Sequence, residues 1–436
     1  MQTLRYMAMM LVAVLLSLGA LPNLLWAQST AADQAILRSQ HLLQRNSRDA
    51  TAYYRLGDAY MQKAREIGDI IYINLAEKAL QKCLEIAPEH SGAVRHLAYA
   101  MYMRHGFEEA VRQALRAVAL DPTDSHAYGI LGDAYLEVGK YDAAAQTYQR
   151  MIRLQGDLYA YSRLSGLKSL QGDPTGAIAD LQRAIQLGRA EERPPESIAW
   201  ALWQLGNESL ALGQLPAAEA HYVEALNTFS DYYRALAGLA QVRAAQQRYP
   251  EALDLYRKAI AIVPLPDYAA ALGDVYTKLE RPEDAQKHYD LVEYIGYLNT
   301  LNKVVYNREL AYFYADHDRK LPEALELAKR ELEVRQDIYA YDVLAWALYK
   351  NDRPQEALTA MTEALKLGTK DARLFFHAGM IRHRLGEHEQ AREYLQRALA
   401  TNPYFHILHV EVAERTLKAV EGRLGMSVLQ EHTDDR

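Results

Sequence analysis

Leu56-Gly57-Asp58-Ala59-Tyr60 decides the fold, because it returns as Leu131-Gly132-Asp133-Ala134-Tyr135 and again as Leu272-Gly273-Asp274-Val275-Tyr276. Diverged copies lie between. A small residue follows an apolar one at Gly57, Ala98, Gly132, Ser165, Gly206, Ala240, Gly273, Ala311, Ala345 and Gly379. An alanine follows each of them, at Ala76, Ala110, Ala144, Ala177, Ala218, Ala252, Ala285, Ala324, Ala357 and Ala391. The step from Gly132 to Ala144 is repeated without change in eight of the ten pairs, so the spacing belongs to one recurring folded unit. Successive alanines also keep a nearly constant period, as from Ala76 to Ala110 to Ala144.

Two antiparallel helices joined by a tight turn account for that period. The small residue of the first helix lets the second approach closely, and the alanine occupies the same crossing, where a larger side chain would force the pair apart. Gly139, Gly213 and Gly386 stand where the first helix must end. Pro88, Pro122, Pro264 and Pro403 stand where the second cannot continue. No segment alternates as a strand would.

These residues resemble the tetratricopeptide repeat family over about residues 50 to 403. The resemblance implies an all-α, right-handed superhelical solenoid of about ten helix-turn-helix repeats. The tryptophan expected early in the first helix is mostly absent. Three irregularities interrupt the period: Arg65 to Asn74, Arg189 to Glu196 with Pro194-Pro195, and Asp316 to Leu321. A longer repetition is also present. Asp157-Leu158-Tyr159-Ala160-Tyr161 matches Asp337-Ile338-Tyr339-Ala340-Tyr341, and Ser165 with Ala345 and Ala177 with Ala357 keep the same offset, as if five repeats had doubled to ten.

The expected organisation is a signal peptide or anchor at 1–27, a capping helix at 28–49, repeats one to four at 50–188 and a linker at 189–196. Repeats five to ten follow at 197–403, then a capping helix at 404–424 and a flexible tail at 425–436. Caps are needed because the end repeats of a solenoid otherwise expose an apolar face. Arg5 is the one charge before Asp33, and the run from Met7 to Leu21 is almost unbroken apolar, which reads as an export signal. If uncleaved, residues 7–27 could span a membrane, with the repeats outside the cytoplasm in either case. The expected location is the periplasm or cell envelope.

A formal net charge of −7 argues against nucleic acid, which calls for a basic stripe. Cys83 is the only cysteine, so no intrachain disulfide can form. Phosphate loops, dinucleotide fingerprints, nucleophile elbows and zinc-protease helices are missing, which points to a non-catalytic protein. His406 and His409 share a helix face and could hold a metal, but no further ligand stands near them in the sequence. Ala315-Asp316-His317-Asp318 has the look of an acid–base cluster, but it falls where a solvated loop is expected. No catalytic residue, cofactor or metal is therefore expected.

The resemblance implies a concave face lined by the first helices. It puts Tyr54, Arg95, Tyr99, Tyr102, Tyr159, Trp200, Trp203 and Asn207 on that face in the first five repeats. Beyond them it puts Arg234, Arg308, Tyr312, Tyr339, Trp346, Tyr349 and Phe376 there. Aromatics with arginines are the composition of binding hot spots, and the chain has 31 Tyr against 6 Phe and 4 Trp. The carboxylate clamp of chaperone-binding relatives is ruled out, since its positions hold Tyr54, Asp58, Arg95, Tyr99, Gly129 and Asp133 rather than lysines and asparagines. The expected function is an envelope scaffold binding a protein or peptide in this groove. The alternative is a glycan-binding scaffold of a polysaccharide secretion or envelope assembly system.

Overall fold

The computed structural model describes residues 30–301 and 307–434, so the expected signal or anchor lies outside the described residues. These residues form 22 helices and no strand. The first, α1 (Ala31–Arg45), packs on α2 as a cap, and Lys63 of α2 bridges Asp33 of α1 at 2.9 Å. Ten helix pairs follow. They are α2 (Ala50–Ile67) with α3 (Ile70–Ile86), α4 (Ser91–Met103) with α5 (Phe107–Leu120), α6 (Ser125–Glu137) with α7 (Tyr141–Leu154), and α8 (Leu158–Leu170) with α9 (Pro174–Ala190). Next come α10 (Pro195–Ala211) with α11 (Leu215–Thr228), α12 (Tyr233–Ala245) with α13 (Tyr249–Ile262), and α14 (Pro266–Lys278) with α15 (Pro282–Leu301). The last three are α16 (Asn307–Asp316) with α17 (Leu321–Val334), α18 (Ile338–Lys350) with α19 (Pro354–Ala364), and α20 (Ala372–Arg384) with α21 (His388–Thr401). Helix α22 (His409–Asp434) closes the array. The architecture is the expected right-handed superhelical solenoid.

Each first helix begins and ends by a local rule. Asp49, Asp124, Asp157, Asp337 and Asp371 cap first helices by accepting from free backbone N–H groups. All ten intra-repeat turns contain a residue with positive φ. Five are the glycines Gly68, Gly139, Gly172, Gly213 and Gly386, and five are His105, Gln247, Glu280, Asp318 and Asp352. Only the glycine half of this signal is legible as a turn mark in the sequence.

The recurring glycine of the motif has a partner that the small-residue argument leaves out. Tyr148, Tyr222 and Tyr289 each stand one helical turn after the crossing alanine. Their rings lie against Gly132, Gly206 and Gly273, where an added Cβ would come within 2.3, 2.4 and 2.4 Å of ring carbons. Their hydroxyls donate to the residue after the glycine: Asp133 Oδ1 at 2.7 Å, Asn207 Oδ1 at 2.7 Å and Asp274 Oδ1 at 2.9 Å. The glycine and the residue after it are thus a receptor for one tyrosine of the second helix. Ala144 is fully buried at the same crossing. Ala144→Leu is expected to destabilise the protein by about 1–3 kcal/mol in urea denaturation; an unchanged midpoint would contradict this register.

The irregular stretches near residues 65–74 and 189–196 lengthen helices instead of opening loops. Helices α2 and α3 have 18 and 17 residues, and α9 and α10 have 17 each, against 13 or 14 for most of the others. Of the stretch 189–196 expected as a linker, 189–190 end α9 and 195–196 begin α10, which leaves a connection at 191–194. Helix α22 likewise runs through Asp434, past the expected end of the cap at 424 and through most of the expected tail, since no proline or glycine after Gly425 stops it.

First helices of neighbouring repeats touch one another, as α2 does α4 and α4 does α6, so they form the inner, concave wall. The superhelix is wound tightly enough for successive turns to meet. The Gln336 N–H donates to Glu137 O at 2.8 Å, and the Tyr141 hydroxyl accepts from the Ile338 N–H at 2.9 Å. Asn402 Nδ2 donates to Leu210 O at 2.8 Å, and the Thr369 hydroxyl donates to Leu170 O. These side-chain partners are 192 to 199 residues apart, so the turn inside one repeat docks on the loop leaving the repeat five further along. Gly139 and Gly172 combine φ of +71° and +75° with that close approach; a Cβ there would lie 2.6 Å from Gln336 O and 2.4 Å from Gly368 O.

Candidate functional site

The concave wall differs between its two halves. Over the early repeats it carries half-buried rings and charges that bond among themselves. Arg95 reaches Asp124 Oδ2 at 2.8 Å and the Tyr54 hydroxyl at 3.2 Å. The Tyr99 and Tyr102 rings stack at 6.4 Å, and the Tyr102 hydroxyl donates to Glu137 Oε1 at 3.0 Å. Arg163, which was not among the expected site residues, grips Asp133 with Nε 2.9 Å from each carboxylate oxygen. Arg193 lies over Tyr159 at 5.4 Å and pairs with Asp157. Burial, with Arg95 and Arg65 beside it, holds the His96 imidazole well below its ordinary pKa, so it is neutral at pH 7.

Arg234 is different. Its guanidinium stands 5.1 Å from the centroids of both Trp203 and Tyr233. Burial lowers its pKa, but Tyr233, Tyr232 and Tyr268 around it outweigh that and raise it, and the Glu196 carboxylate also feels its charge. Trp200, Trp203 and Asn207 stand half-buried on the adjoining α10. A cavity of about 750 Å³ opens at the N-terminal mouth, between α1, α2 and the start of α10, lined by Arg38, Arg55, Asp58, Arg65, Glu196 and Phe229.

Repeats eight to ten present a filled face. The segment leading into α22 folds back against it. Phe405 and His409 meet Phe376 at 5.3 and 5.2 Å, and His409 meets Trp346 at 6.2 Å. Lys278 of α14 bridges Glu411 of α22 at 2.5 Å. Trp346 and Phe376, expected on the groove surface, are consequently core residues, 2 % and 1 % exposed. Tyr312 is core as well, since its hydroxyl donates to the buried Asp342 at 2.6 Å while Arg373 covers its ring at 4.5 Å. Arg308, Tyr339 and Tyr349 stay half-buried, and Arg308 is paired with Asp337 at 3.1 Å.

Under that cap lie the two motifs set aside on sequence grounds. Asp316 and His317 are the last residue of α16 and the one after it, with side chains 8 % exposed, not a solvated loop. His317 Nε2 is 2.7 Å from Asp274 Oδ1, the same carboxylate that receives Tyr289. Trp346 Nε1 donates to Asp316 Oδ1 at 2.7 Å. His406 and His409 stack at 4.2 Å, and one ligand atom from each lies within 4.8 Å of the other and of an Asp316 oxygen. Burial lowers the pKa of both imidazoles. Burial opposes ionisation of Asp316, but the charges around it outweigh that and bring it to about 2. The charges that lower it are, in order, those of His409, His406, His377 and Arg373.

The match to known proteins follows this geometry. A tetratricopeptide repeat family model matches residues 97–159, 203–265 and 343–404. The chain is built of tetratricopeptide repeats. Among curated proteins it is 22 % identical over 317 residues to the TPR repeat-containing protein MJ1428 of Methanocaldococcus jannaschii, covering 69 % of this chain and 54 % of that protein. It is 26 % identical over 232 residues to the human protein O-mannosyl-transferase TMTC1, covering 51 % of this chain and 25 % of that one. The chain thus spans about half the length of the archaeal relative and a quarter of the human one. Among solved structures, human IFIT1 in complex with m7Gppp-AAAA has a TM-score of 0.51 at 15 % identity, over 76 % of each chain. Yeast Tom70 has a TM-score of 0.39 at 13 % identity, over 94 % of this chain and 97 % of that one. Tetratricopeptide solenoids are typically non-catalytic interaction scaffolds that bind proteins or peptides. None of the described helices is long and apolar enough to cross a membrane.

Proposed function

We propose that this protein is an exported scaffold of the cell envelope whose tetratricopeptide solenoid holds an extended segment of a partner protein on the concave wall of repeats one to six. The observation that carries the reading is the contrast between the two halves of that wall. Repeats eight to ten are closed by the C-terminal cap, whereas Tyr54, Tyr99, Tyr159, Trp200, Trp203 and Arg234 stay half-buried. Arg234, flanked by two rings, suits a carboxylate or a backbone carbonyl of a partner, and stacked rings give contact area at small entropic loss. The tight winding favours an extended chain over a globular ligand. Export rests on the basic start and apolar run before residue 28.

The test is site-specific photocrosslinking in intact cells, with the probe at Trp203 or at the exposed Leu115 of α5, followed by binding of the captured partner's peptides to the purified protein. Adducts are expected from Trp203 and not from Leu115, with the protein in the envelope fraction. Trp203→Ala combined with Arg234→Ala is expected to weaken peptide binding by at least about tenfold, as for loss of a hot-spot pair. Equal binding by the double variant overturns the groove reading. Retardation by a neutral polysaccharide gel without peptide binding turns it to the glycan alternative.

A further inference from the structure

We propose that Asp316, His406 and His409 form a binding site for a divalent transition-metal ion, which fastens the C-terminal cap to the concave wall at repeat eight. The three residues come from distant parts of the chain. Asp316 ends α16, while His406 and His409 flank the entry into α22, and their ligand atoms gather within 4.8 Å. Two imidazoles and a carboxylate make a borderline donor set of the kind that zinc and its neighbours take.

Two further observations point to a ligand here. His409 is 6 % exposed, yet its Nδ1 has no hydrogen-bond partner and its Nε2 lies 4.0 Å from Asp316 Oδ1, too far for a hydrogen bond. A cation held between Nε2 and the Asp316 carboxylate would bridge a gap that no hydrogen bond spans, and would fix the ring proton on Nδ1. The surrounding groups also have the arrangement that orients metal ligands. Trp346 Nε1 holds Asp316 Oδ1 at 2.7 Å, and the Asp274 carboxylate faces His406 Nε2 at 3.7 Å. The Leu408 N–H donates to His406 Nδ1 at 3.2 Å, the one contact that coordination through that nitrogen would exchange. Bond lengths of about 2.0–2.1 Å require the ligand atoms to draw together, which tightens the cap on the wall.

The test uses the untagged full chain, stripped with a chelator and titrated with zinc chloride by calorimetry, with melting followed in parallel. One ion per chain and a raised melting temperature are expected. His409→Ala is expected to weaken zinc binding by at least about 100-fold, since loss of a direct ligand exceeds the loss from a supporting residue. Asp316→Asn is expected to do the same while keeping size and the acceptor for Trp346, so it answers for any folding defect of the alanine variant. His383→Ala, at the separate His383–His388 contact, is expected to bind as the wild type does. Equal affinity and equal thermal shift in wild type and Asp316→Asn, or no binding by the wild type in large excess of zinc, overturns the proposal.

Discussion

Asp342→Ala is expected to destabilise the protein by about 2–5 kcal/mol, because two buried side chains lose their hydrogen-bond partner at about 1–3 kcal/mol each. Asp342 of α18 is fully buried and serves two side chains. Its oxygens lie 2.9 and 3.1 Å from His377 Nδ1, and Oδ2 accepts from the Tyr312 hydroxyl at 2.6 Å. His377 is also fully buried, and its Nε2 already lacks a partner. Alanine at 342 would leave the whole imidazole unpaired and the Tyr312 hydroxyl with only Tyr339 O at 3.3 Å. Asp342→Asn keeps the shape and one acceptor, so it should recover part of the loss. Urea denaturation measures both variants. Hydrogen exchange should place the damage first in repeats eight to ten, because each repeat leans chiefly on its neighbours. A loss below about 1 kcal/mol, the worth of an ordinary hydrogen bond, would contradict the buried network.

Arg335→Ala is expected to loosen the contact between superhelical turns by a similar amount, about 3–5 kcal/mol. Arg335 follows α17 and is 4 % exposed. Its Nε pairs with Glu137 Oε2 at 2.6 Å, its Nη1 with Glu331 Oε1 at 3.0 Å, and its guanidinium lies 4.9 Å from the Phe107 ring centroid. Glu137 and Phe107 belong to the preceding turn of the superhelix, so one cation joins repeats two and three to repeat eight. Without it, Glu137 and Glu331 lose the charge they share. Burial pushes the Glu331 carboxyl up to about 7, with Arg335 opposing the rise. A raised acid binds its proton more readily in the folded protein, so its stabilising effect is complete below about 4.5 and is lost as pH rises through about 7. Above that pH the wild type holds an ion pair that the variant cannot form. The deficit measured by denaturation should therefore be larger at pH 8 than at pH 5. An equal deficit at the two values would mean that Glu331 does not depend on Arg335.

Much of the site was invisible to local reading for a specific reason. Tyr54, Arg95, Tyr99, Trp203 and Arg234 could be placed on the concave wall because helical period and repeat register assign each position a direction. Whether a ring on that wall meets a partner or another part of the chain is not a property of its repeat. Phe376 and Trp346 have the same register credentials as Trp203, yet they are core, because Phe405 and His409 return to cover them. The meeting of His406 and His409 with Asp316 spans several helix crossings. The irregular spacing near Asp316 was enough to suggest a loop. The tyrosines that sit on the motif glycines were legible in principle, since Tyr148, Tyr222 and Tyr289 recur at one offset from Ala144, Ala218 and Ala285.

The sequence by itself determined the unit: a helix pair with its crossing residues and its proline stops, ten times over, at a period of about 34 residues. Those features are set by contacts within a repeat and with the next one, and such contacts repeat with the sequence. Only the tertiary structure decided that the superhelix closes on itself at 192 to 199 residues and that the cap fills the last repeats. The reason is that pitch and closure sum small rotations over every repeat interface, including the lengthened helices α2, α3, α9 and α10. No single stretch of sequence carries that sum.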